Sequence, residues 1–337
     1  MLDNRPGMGY NDAEVNEMKQ EGKRLLTTCA LYALIPLLLI LIPIIFAKAP
    51  MEAYGAAYNA YLLLTEFCVI ALPAIIWLMT PQGREAAKDI WRDKPDASIL
   101  LVIPLAVCAY FAVNGLTVMW FLLLNQFGIT QMPETVPSPQ SGAQLGLALV
   151  LIAASPALCE EFFFRGILQP ALHRHMKPWL AIVLGGCMFG LVHGQIVALP
   201  AHVLLGIALC FVAYWTRSVW YTLLWHFIQN GIAVVIGYFS EAILEMSGGA
   251  EASAAMMVND TLATLLSAGL MLVFFGTGAL LFLALLLFVT HKRHKESKPV
   301  RAADKAPLWA YAPLLAAAGG IVYLYITGTM MLTGGGA

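Results

Sequence analysis

Charged residues are scarce in this sequence of 337 residues, since only 12% are Asp, Glu, Lys or Arg while 60% are hydrophobic. Average soluble domains carry roughly twice that charged fraction, about 25%. One soluble core cannot bury so much apolar surface, so the composition excludes an ordinary soluble domain. The basic residues form no patch that would indicate a nucleic-acid partner.

Three further absences narrow the function. No CxxC pair is present, and all six cysteines lie in apolar runs, where we expect small buried side chains: Cys29, Cys68, Cys108, Cys159, Cys187 and Cys210. The HExxH helix of the common metalloproteases is absent. The repeated, Gly- or Pro-broken spans of many transporters are also absent, which disfavours a proton-relay transporter.

The sequence does contain a series of apolar runs about 20 residues long, the length that crosses about 30 Å of hydrocarbon. Such segments must satisfy their own backbone hydrogen bonds, so the runs predict transmembrane helices. We therefore predict an all-α fold, a polytopic transmembrane helix bundle with eight or nine spans. The candidate spans are residues 25–47, 57–79, 98–124, 143–172, 178–197, 198–216, 218–239, 261–289 and 307–327.

The positions of Lys and Arg predict the orientation, because these residues favour cytoplasmic loops. With a cytosolic N-terminus and nine alternating spans, all 19 Lys and Arg residues except Lys48 and Arg165 fall in cytosolic segments. The predicted organisation is a cytosolic N-terminal segment, N-terminal transmembrane helices, a catalytic core, and C-terminal helices with a basic cytosolic loop at 291–305. In that order the four parts are residues 1–24, 25–142, 143–240 and 241–337.

Charged residues inside the fourth predicted span are functional candidates, because ionisable groups in hydrocarbon are costly. Glu161 and Arg165 are four residues apart with the acid first, the spacing that favours an ion pair on a helix. The neighbouring Glu160 has no cation close in sequence. Glu160 is therefore the carboxylate available as a general base or acid.

Two further spans each carry a polar motif, with Phe189 four residues before His193 and His226 four residues before Asn230. At 1.5 Å per residue, Glu160, His193, His226 and Asn230 lie roughly 18, 22, 12 and 18 Å from the predicted cytosolic ends of their spans. The four groups can therefore meet in one intramembrane layer. Spans one to three and eight to nine carry no motif. We interpret His202 as packing or cavity lining, and four histidines as solvated at the cytosolic face: His173, His175, His291 and His294.

The three motifs, in this order on separate predicted helices, resemble those of the CPBP family of intramembrane proteases. That family includes the type II CAAX prenyl endopeptidases and the lysostaphin resistance protein A-like membrane proteins. The resemblance covers about residues 143–240. It implies an intramembrane endopeptidase of the bacterial plasma membrane, with lipids and a membrane-anchored protein or peptide substrate as partners.

The resemblance also implies roles for the motif residues. Glu160 would be the general base, assisted by His193, while His226 and Asn230 would stabilise the oxyanion. Glu161 and Arg165 would form a structural ion pair that orients Glu160.

Two alternatives stay open. A zinc-dependent version would use Glu160, His193 and His226 as ligands, since two His and one Glu form a known catalytic zinc set. Asn230 is a poor zinc ligand but a good oxyanion donor, so we favour a reaction without a metal or other cofactor. A non-catalytic membrane scaffold or immunity-type protein of the same fold would retain every motif.

Overall fold

The computed structural model describes residues 12–81, 83–84, 94–129, 137–240, 261–296, 308–317 and 319–320. All regular secondary structure within these ranges is helical, which confirms the predicted fold class. The long helices there are α1 (Asp12–Phe46), α2 (Ala56–Leu78), α3 (Ala97–Asn125), α4 (Gly142–His175), α5 (Pro178–Val192), α6 (Leu199–Thr216), α7 (Val219–Tyr238) and α8 (Thr261–Glu296). A 3₁₀ turn follows at Leu308–Tyr311.

Seven of these eight helices are long and apolar enough to cross a membrane, as expected of a multi-pass protein. They match seven of the predicted spans, with longer ends in α1, α4 and α8. The orientation of the spans stays a prediction. Several predicted segments lie partly outside the described residues: the N-terminal segment 1–24, the C-terminal region 241–337 with its basic loop at 291–305, and the ninth span at 307–327.

The predicted span 178–197 is wrong, because α5 has only 15 residues. Its length of about 22 Å falls short of the roughly 30 Å of hydrocarbon. The helix ends at Val192 with His193 as its C-cap, and Gly194 adopts a φ of +66°, the left-handed conformation that favours glycine. The chain then turns back into α6, with Pro200 in the first turn of that helix.

Helices α5 and α6 form a hairpin whose backbones touch. A Cβ atom at Gly186 or Gly190 would lie within 2.7 Å of a backbone nitrogen of α6, and one at Gly206 would lie 2.7 Å from the Gly186 carbonyl oxygen. Small residues at such positions let membrane helices approach closely. The hairpin thereby fixes His193, at its tip, relative to the first turn of α6.

The helical hydrogen-bond pattern widens to π-helix on both sides of the Ser155–Phe163 segment of α4, at Leu149–Ala154 and Phe164–Leu168. A third π segment, Thr65–Ala71 in α2, packs against Ser155–Phe163. Single π turns interrupt α-helices frequently at functional sites. In this fold they surround the helical segment that carries the two adjacent glutamates.

Two predictions about individual side chains need correction. Cys68 is exposed and Cys108 and Cys187 are half-buried, so only three of the six free cysteines are buried as predicted. A thiol on an outward helix face contacts hydrocarbon in a membrane, so burial in protein is not required of it. His173 and His175 are buried rather than solvated, and His173 stacks on Tyr214 at 4.9 Å between ring centroids.

Of the two remaining histidines predicted to be solvated, His291 is exposed and His294 is half-buried. The His294 ring lies against Trp215, with 4.1 Å between ring centroids. Two aromatic residues of α6, Tyr214 and Trp215, therefore each stack on a histidine of a neighbouring helix, His173 of α4 and His294 of α8.

Candidate active site

The ion pair predicted within α4 is present and fully buried. Arg165 donates from Nη1 to Glu161 Oε1 at 2.8 Å, and neither side chain is exposed. The guanidinium also donates to the Gly206 carbonyl oxygen at 3.2 Å and lies 4.5 Å from the Phe189 ring centroid. The pair therefore ties α4 to both helices of the α5–α6 hairpin.

Glu161 has a second partner that the sequence did not indicate, because His226 Nδ1 lies 3.0 Å from the same Oε1 atom. An ionised carboxylate can only accept hydrogen bonds, so His226 donates from Nδ1. Its Nε2 atom is then left for another contact. His226 thus meets Glu161 instead of Glu160, and Glu161 orients a predicted catalytic residue as well as pairing with Arg165.

His193 faces the other glutamate. Its Nδ1 donates to the Phe189 carbonyl oxygen at 2.8 Å, since a carbonyl is an acceptor only. Its Nε2 lies 4.0 Å from Glu160 Oε2, too long for a direct hydrogen bond. Two groups at such a separation can be bridged by one water molecule. The His193 side chain is 23% exposed and that of Glu160 9%, while Glu160 Oε2 itself is buried and has no hydrogen-bond partner among the described groups.

The two histidines both pack against the aromatic ring of Phe189. Its ring centroid lies 4.8 Å from that of His193 and 5.8 Å from that of His226. Asn230 is half-buried and lies one turn after His226 on the same face of α7. The four predicted catalytic residues thus come from three helices, and Phe189 packs between the two carboxylate–histidine pairs.

His202 belongs to this site, although the sequence indicated only packing or cavity lining. Its ring stacks on His193 with centroids 4.2 Å apart and planes inclined by 25°. Its Nδ1 atom is buried and receives no hydrogen bond from the described part of the chain. A single histidine gives no sequence signal for this contact, which depends on the return of the chain through the α5–α6 hairpin.

Glu66 is a second residue that the sequence interpretation missed. It lies close enough to Glu160 and to the Cys159 thiol for their charges to interact. It also lies 12 residues from the end of α2 at Leu78, about 18 Å along the axis, close to the depth predicted for Glu160. The sequence did contain a signal for Glu66, because a single carboxylate in an otherwise apolar span is a functional candidate.

The predicted zinc ligands Glu160, His193 and His226 are not gathered into one cluster. Among the described residues, no group of three or more His, Cys, Asp or Glu is arranged to hold a metal ion. The two histidines instead face different glutamates. The expectation of a reaction without a metal stays a prediction, and the zinc-dependent version stays the alternative.

Residues 142–232 match the family model described as type II CAAX prenyl endopeptidase Rce1-like. This match confirms the resemblance derived from the motifs. The matched segment begins with α4, ends within α7 and contains every predicted catalytic residue. Neither a curated protein nor a solved structure matches the chain at a significant level.

Proposed function

We propose that this protein, whose residues 142–232 match the family model of type II CAAX prenyl endopeptidases, is an intramembrane endopeptidase. It hydrolyses a peptide bond of a membrane-associated protein or peptide with water activated by a glutamate and a histidine. The observation that carries this proposal is the separation of 4.0 Å between Glu160 Oε2 and His193 Nε2. Groups so placed can hold one water molecule between them.

In the first step, Glu160 takes a proton from this water while the water oxygen bonds to the peptide carbonyl carbon. His193 accepts a second hydrogen bond from the water at Nε2, because its own hydrogen is held at Nδ1 by the Phe189 carbonyl. A positioned base of this kind commonly contributes about 10²–10⁴-fold to the rate. The electron pair of the carbonyl bond moves onto the carbonyl oxygen.

The resulting oxyanion accepts hydrogen bonds from His226 Nε2 and the Asn230 amide. His226 already donates from Nδ1 to Glu161, so a second donation requires the imidazolium form. The buried Glu161 carboxylate stabilises that cation, as an opposite charge at hydrogen-bond distance does. When the intermediate collapses, the C–N bond breaks and Glu160 returns its proton to the leaving nitrogen.

The substrate must present an unwound peptide bond to this site. A carbonyl inside an intact helix is hydrogen-bonded within that helix and shielded from attack, so the scissile segment enters as extended chain. A lipid-anchored C-terminal peptide of the CAAX type meets this requirement, and so does a short peptide precursor. In either case the membrane holds the substrate at the entrance of the bundle.

The proposal is tested by comparing host membranes that contain the wild type, Glu160→Gln or His193→Ala. Gln keeps the shape of the side chain but cannot take a proton, so one precursor should accumulate in both variants. Glu52→Gln and His291→Ala change exposed residues outside the site and serve as matched controls. The readout is quantitative mass spectrometry of membrane proteins and peptides. If Glu160→Gln restored every phenotype of a deletion strain, the enzyme proposal would fail. The non-catalytic scaffold would then be the better explanation.

A further inference from the structure

His193 lies at the end of α5, where the helix supports its side chain on one side only. A helical side chain leans back toward the residue four positions earlier, and the His193 ring centroid accordingly lies 4.8 Å from that of Phe189. His193 is the C-cap of α5, and the chain leaves the helical path at Gly194. A following turn of α5 is therefore missing where it would support the ring from beyond the helix end.

His202 of α6 supplies this support. The two imidazole centroids are 4.2 Å apart and the ring planes are inclined by 25°, so the rings are stacked. His202 lies in the first turn of α6, and its backbone N–H donates to the Ala198 carbonyl oxygen at 2.9 Å. A Cβ atom at Gly190 would lie 2.7 Å from the backbone nitrogen of Val203, so α5 and α6 are in backbone contact one residue from His202. Backbone packing of the hairpin thus determines where the His202 ring lies.

Two contacts orient the His193 ring, which turns about two side-chain torsions. The hydrogen bond from Nδ1 to the Phe189 carbonyl oxygen, 2.8 Å long, determines which edge of the ring faces the helix. A hydrogen bond tolerates a range of angles, so this bond alone restricts the ring plane only weakly. The stack on His202 restricts the plane further, because stacked aromatic rings keep their planes close to parallel. Together the two contacts hold Nε2 at 4.0 Å from Glu160 Oε2, the separation that the proposed water bridge requires.

The stack, rather than a hydrogen bond of its own, is what His202 contributes to the packed bundle. Its Nδ1 atom is buried and has no hydrogen-bond partner in the described part of the chain. A buried polar atom without a partner lowers stability, so an apolar ring would fill the same space with a smaller penalty. The flat face of the ring, and not Nδ1, therefore accounts for the contact with His193.

We propose that His202 is a positioning residue of the candidate active site, whose ring holds the His193 imidazole in the plane that directs Nε2 toward Glu160. This role rests on the function proposed above. It requires the flat ring at position 202 and neither of its nitrogen atoms. A misplacement of about 1 Å at a reacting group can lower a rate about 10²-fold, so loss of the stack should be visible in kcat.

The orientation of His193 is measured without any assay of cleavage. Histidine in the purified protein is labelled with stable isotopes for NMR, and the ring signals of His193 are identified by their absence in His193→Ala. A stacked aromatic ring shifts the ring-proton signals of its neighbour upfield. His202→Phe should keep this shift, whereas His202→Ala and His202→Leu should move the His193 signals toward those of an unstacked histidine. Identical His193 signals in the wild type, His202→Ala and His202→Leu would overturn the inference.

A matched control is the second stacked pair, in which Tyr214 lies on His173 with centroids 4.9 Å apart and planes inclined by 27°. Tyr214→Ala should change the signals of His173 and leave those of His193 unchanged. His202→Leu keeps much of the side-chain volume, so it provides the comparison if His202→Ala does not fold. His202→Phe should unfold at or above the wild-type temperature, because the unpaired buried nitrogen is removed.

The positioning role also predicts a division among these variants in steady-state kinetics. His202→Ala and His202→Leu should lower kcat roughly 10- to 100-fold with little change in KM, because His193 acts on the water rather than on the bound substrate. His202→Phe should keep most of the wild-type kcat, and Tyr214→Ala should keep all of it. A loss in His202→Phe equal to that in His202→Ala would overturn the inference, since a nitrogen of His202 would then be required. Absence of cleavage by the wild type would reject the proposed function, and the NMR signals would still decide whether His202 orients His193.

Discussion

Helices α4 and α8 are both long and apolar enough to cross a membrane, yet they face different surroundings. In α4, 56% of the apolar window is buried inside the protein, compared with 6% in α8, which packs mainly along α3. Apolar length therefore identifies a membrane helix without indicating whether it faces lipid or protein. The difference between the two helices lies in their polar residues.

Three charged residues interrupt the apolar run of α4, and Glu160, Glu161 and Arg165 are all buried. In α8 the charged residues begin only at Lys292, after the apolar run, where the helix is exposed. A charge in hydrocarbon is costly unless it is paired or reached by water. Charges in the middle of a span thus mark the helix that needs protein neighbours, and those neighbours form the candidate site.

The comparison is tested most severely by Arg165→Ala. Loss of the guanidinium leaves the buried Glu161 carboxylate without its main cation, which should lower the free energy of unfolding by about 3–5 kcal/mol. On α8, Phe288 is 80% exposed. Phe288→Ala should therefore stay within about 0.5 kcal/mol of the wild type, as substitutions outside the packed interior usually do.

Equilibrium unfolding in one detergent measures both variants. Similar small changes in the two would mean that the α4 pair is not buried as described. Normal stability of Arg165→Ala together with lost cleavage would place Arg165 in the chemical step instead.

The next largest effect is expected at the oxyanion donors of α7. His226→Ala and Asn230→Ala should each lower kcat by about 10²–10³-fold, or about 2.7–4 kcal/mol, with little change in KM. Thr277 on α8 donates only to the Val273 carbonyl of its own helix, so Thr277→Ala is a matched control with no expected effect. Steady-state kinetics of the three variants give kcat and KM separately. A raised KM with unchanged kcat would assign His226 and Asn230 to substrate binding instead.

A smaller effect is expected from adding a single methyl group to a glycine. In Gly190→Ala the new Cβ would lie 2.7 Å from a backbone nitrogen of α6, whereas a Cβ at Gly269 on α8 would meet nothing within 4 Å. Forcing the α5–α6 hairpin apart should cost about 1–3 kcal/mol. Gly269→Ala should be neutral or slightly stabilising, because alanine favours the helix by about 0.5–1 kcal/mol. The measurement is the thermal unfolding midpoint of each variant. Equal midpoints for Gly190→Ala and Gly269→Ala would contradict close packing of the hairpin.

No effect on cleavage is expected from chelators of divalent metals. Within the described chain, the predicted zinc ligands meet separate partners, Glu160 with His193 and His226 with Glu161. Activity after extended chelation, together with elemental analysis of the purified protein, provides the measurement. Loss of activity with stoichiometric zinc before chelation would favour the metal-dependent version, with Glu160, His193 and His226 as ligands.

Much of the helical fold follows from hydropathy alone, because the seven membrane-crossing helices coincide with predicted apolar runs. The exception is α5, where the apolar run continues to residue 197 but the helix ends at Val192. Hydropathy contains no information on the left-handed turn at Gly194. The hairpin contacts of Gly186, Gly190 and Gly206 are likewise tertiary: the four-residue spacing of Gly186 and Gly190 is typical of close helix packing, but it does not identify α6 as the partner.

The candidate site was predictable to the extent that its residues form motifs within single helices. The four-residue spacing of Glu161 and Arg165 indicated their contact correctly. The partner of His226 depends on how α7 is rotated against α4, which no local pattern specifies. Glu66 and His202 are single residues in otherwise apolar stretches, so their approach to the site is visible only in the packed bundle.

The central claim is that Glu160 activates water, and cleavage by purified Glu160→Gln tests it most directly. The measurement is the single-turnover rate for the substrate identified from host membranes, with unfolding temperature recorded for the same sample. The proposed mechanism predicts a rate at least about 10²-fold below that of the wild type, because Gln cannot accept the proton. The unfolding temperature should be unchanged. Cleavage by folded Glu160→Gln at the wild-type rate would contradict the assignment of Glu160 as the base.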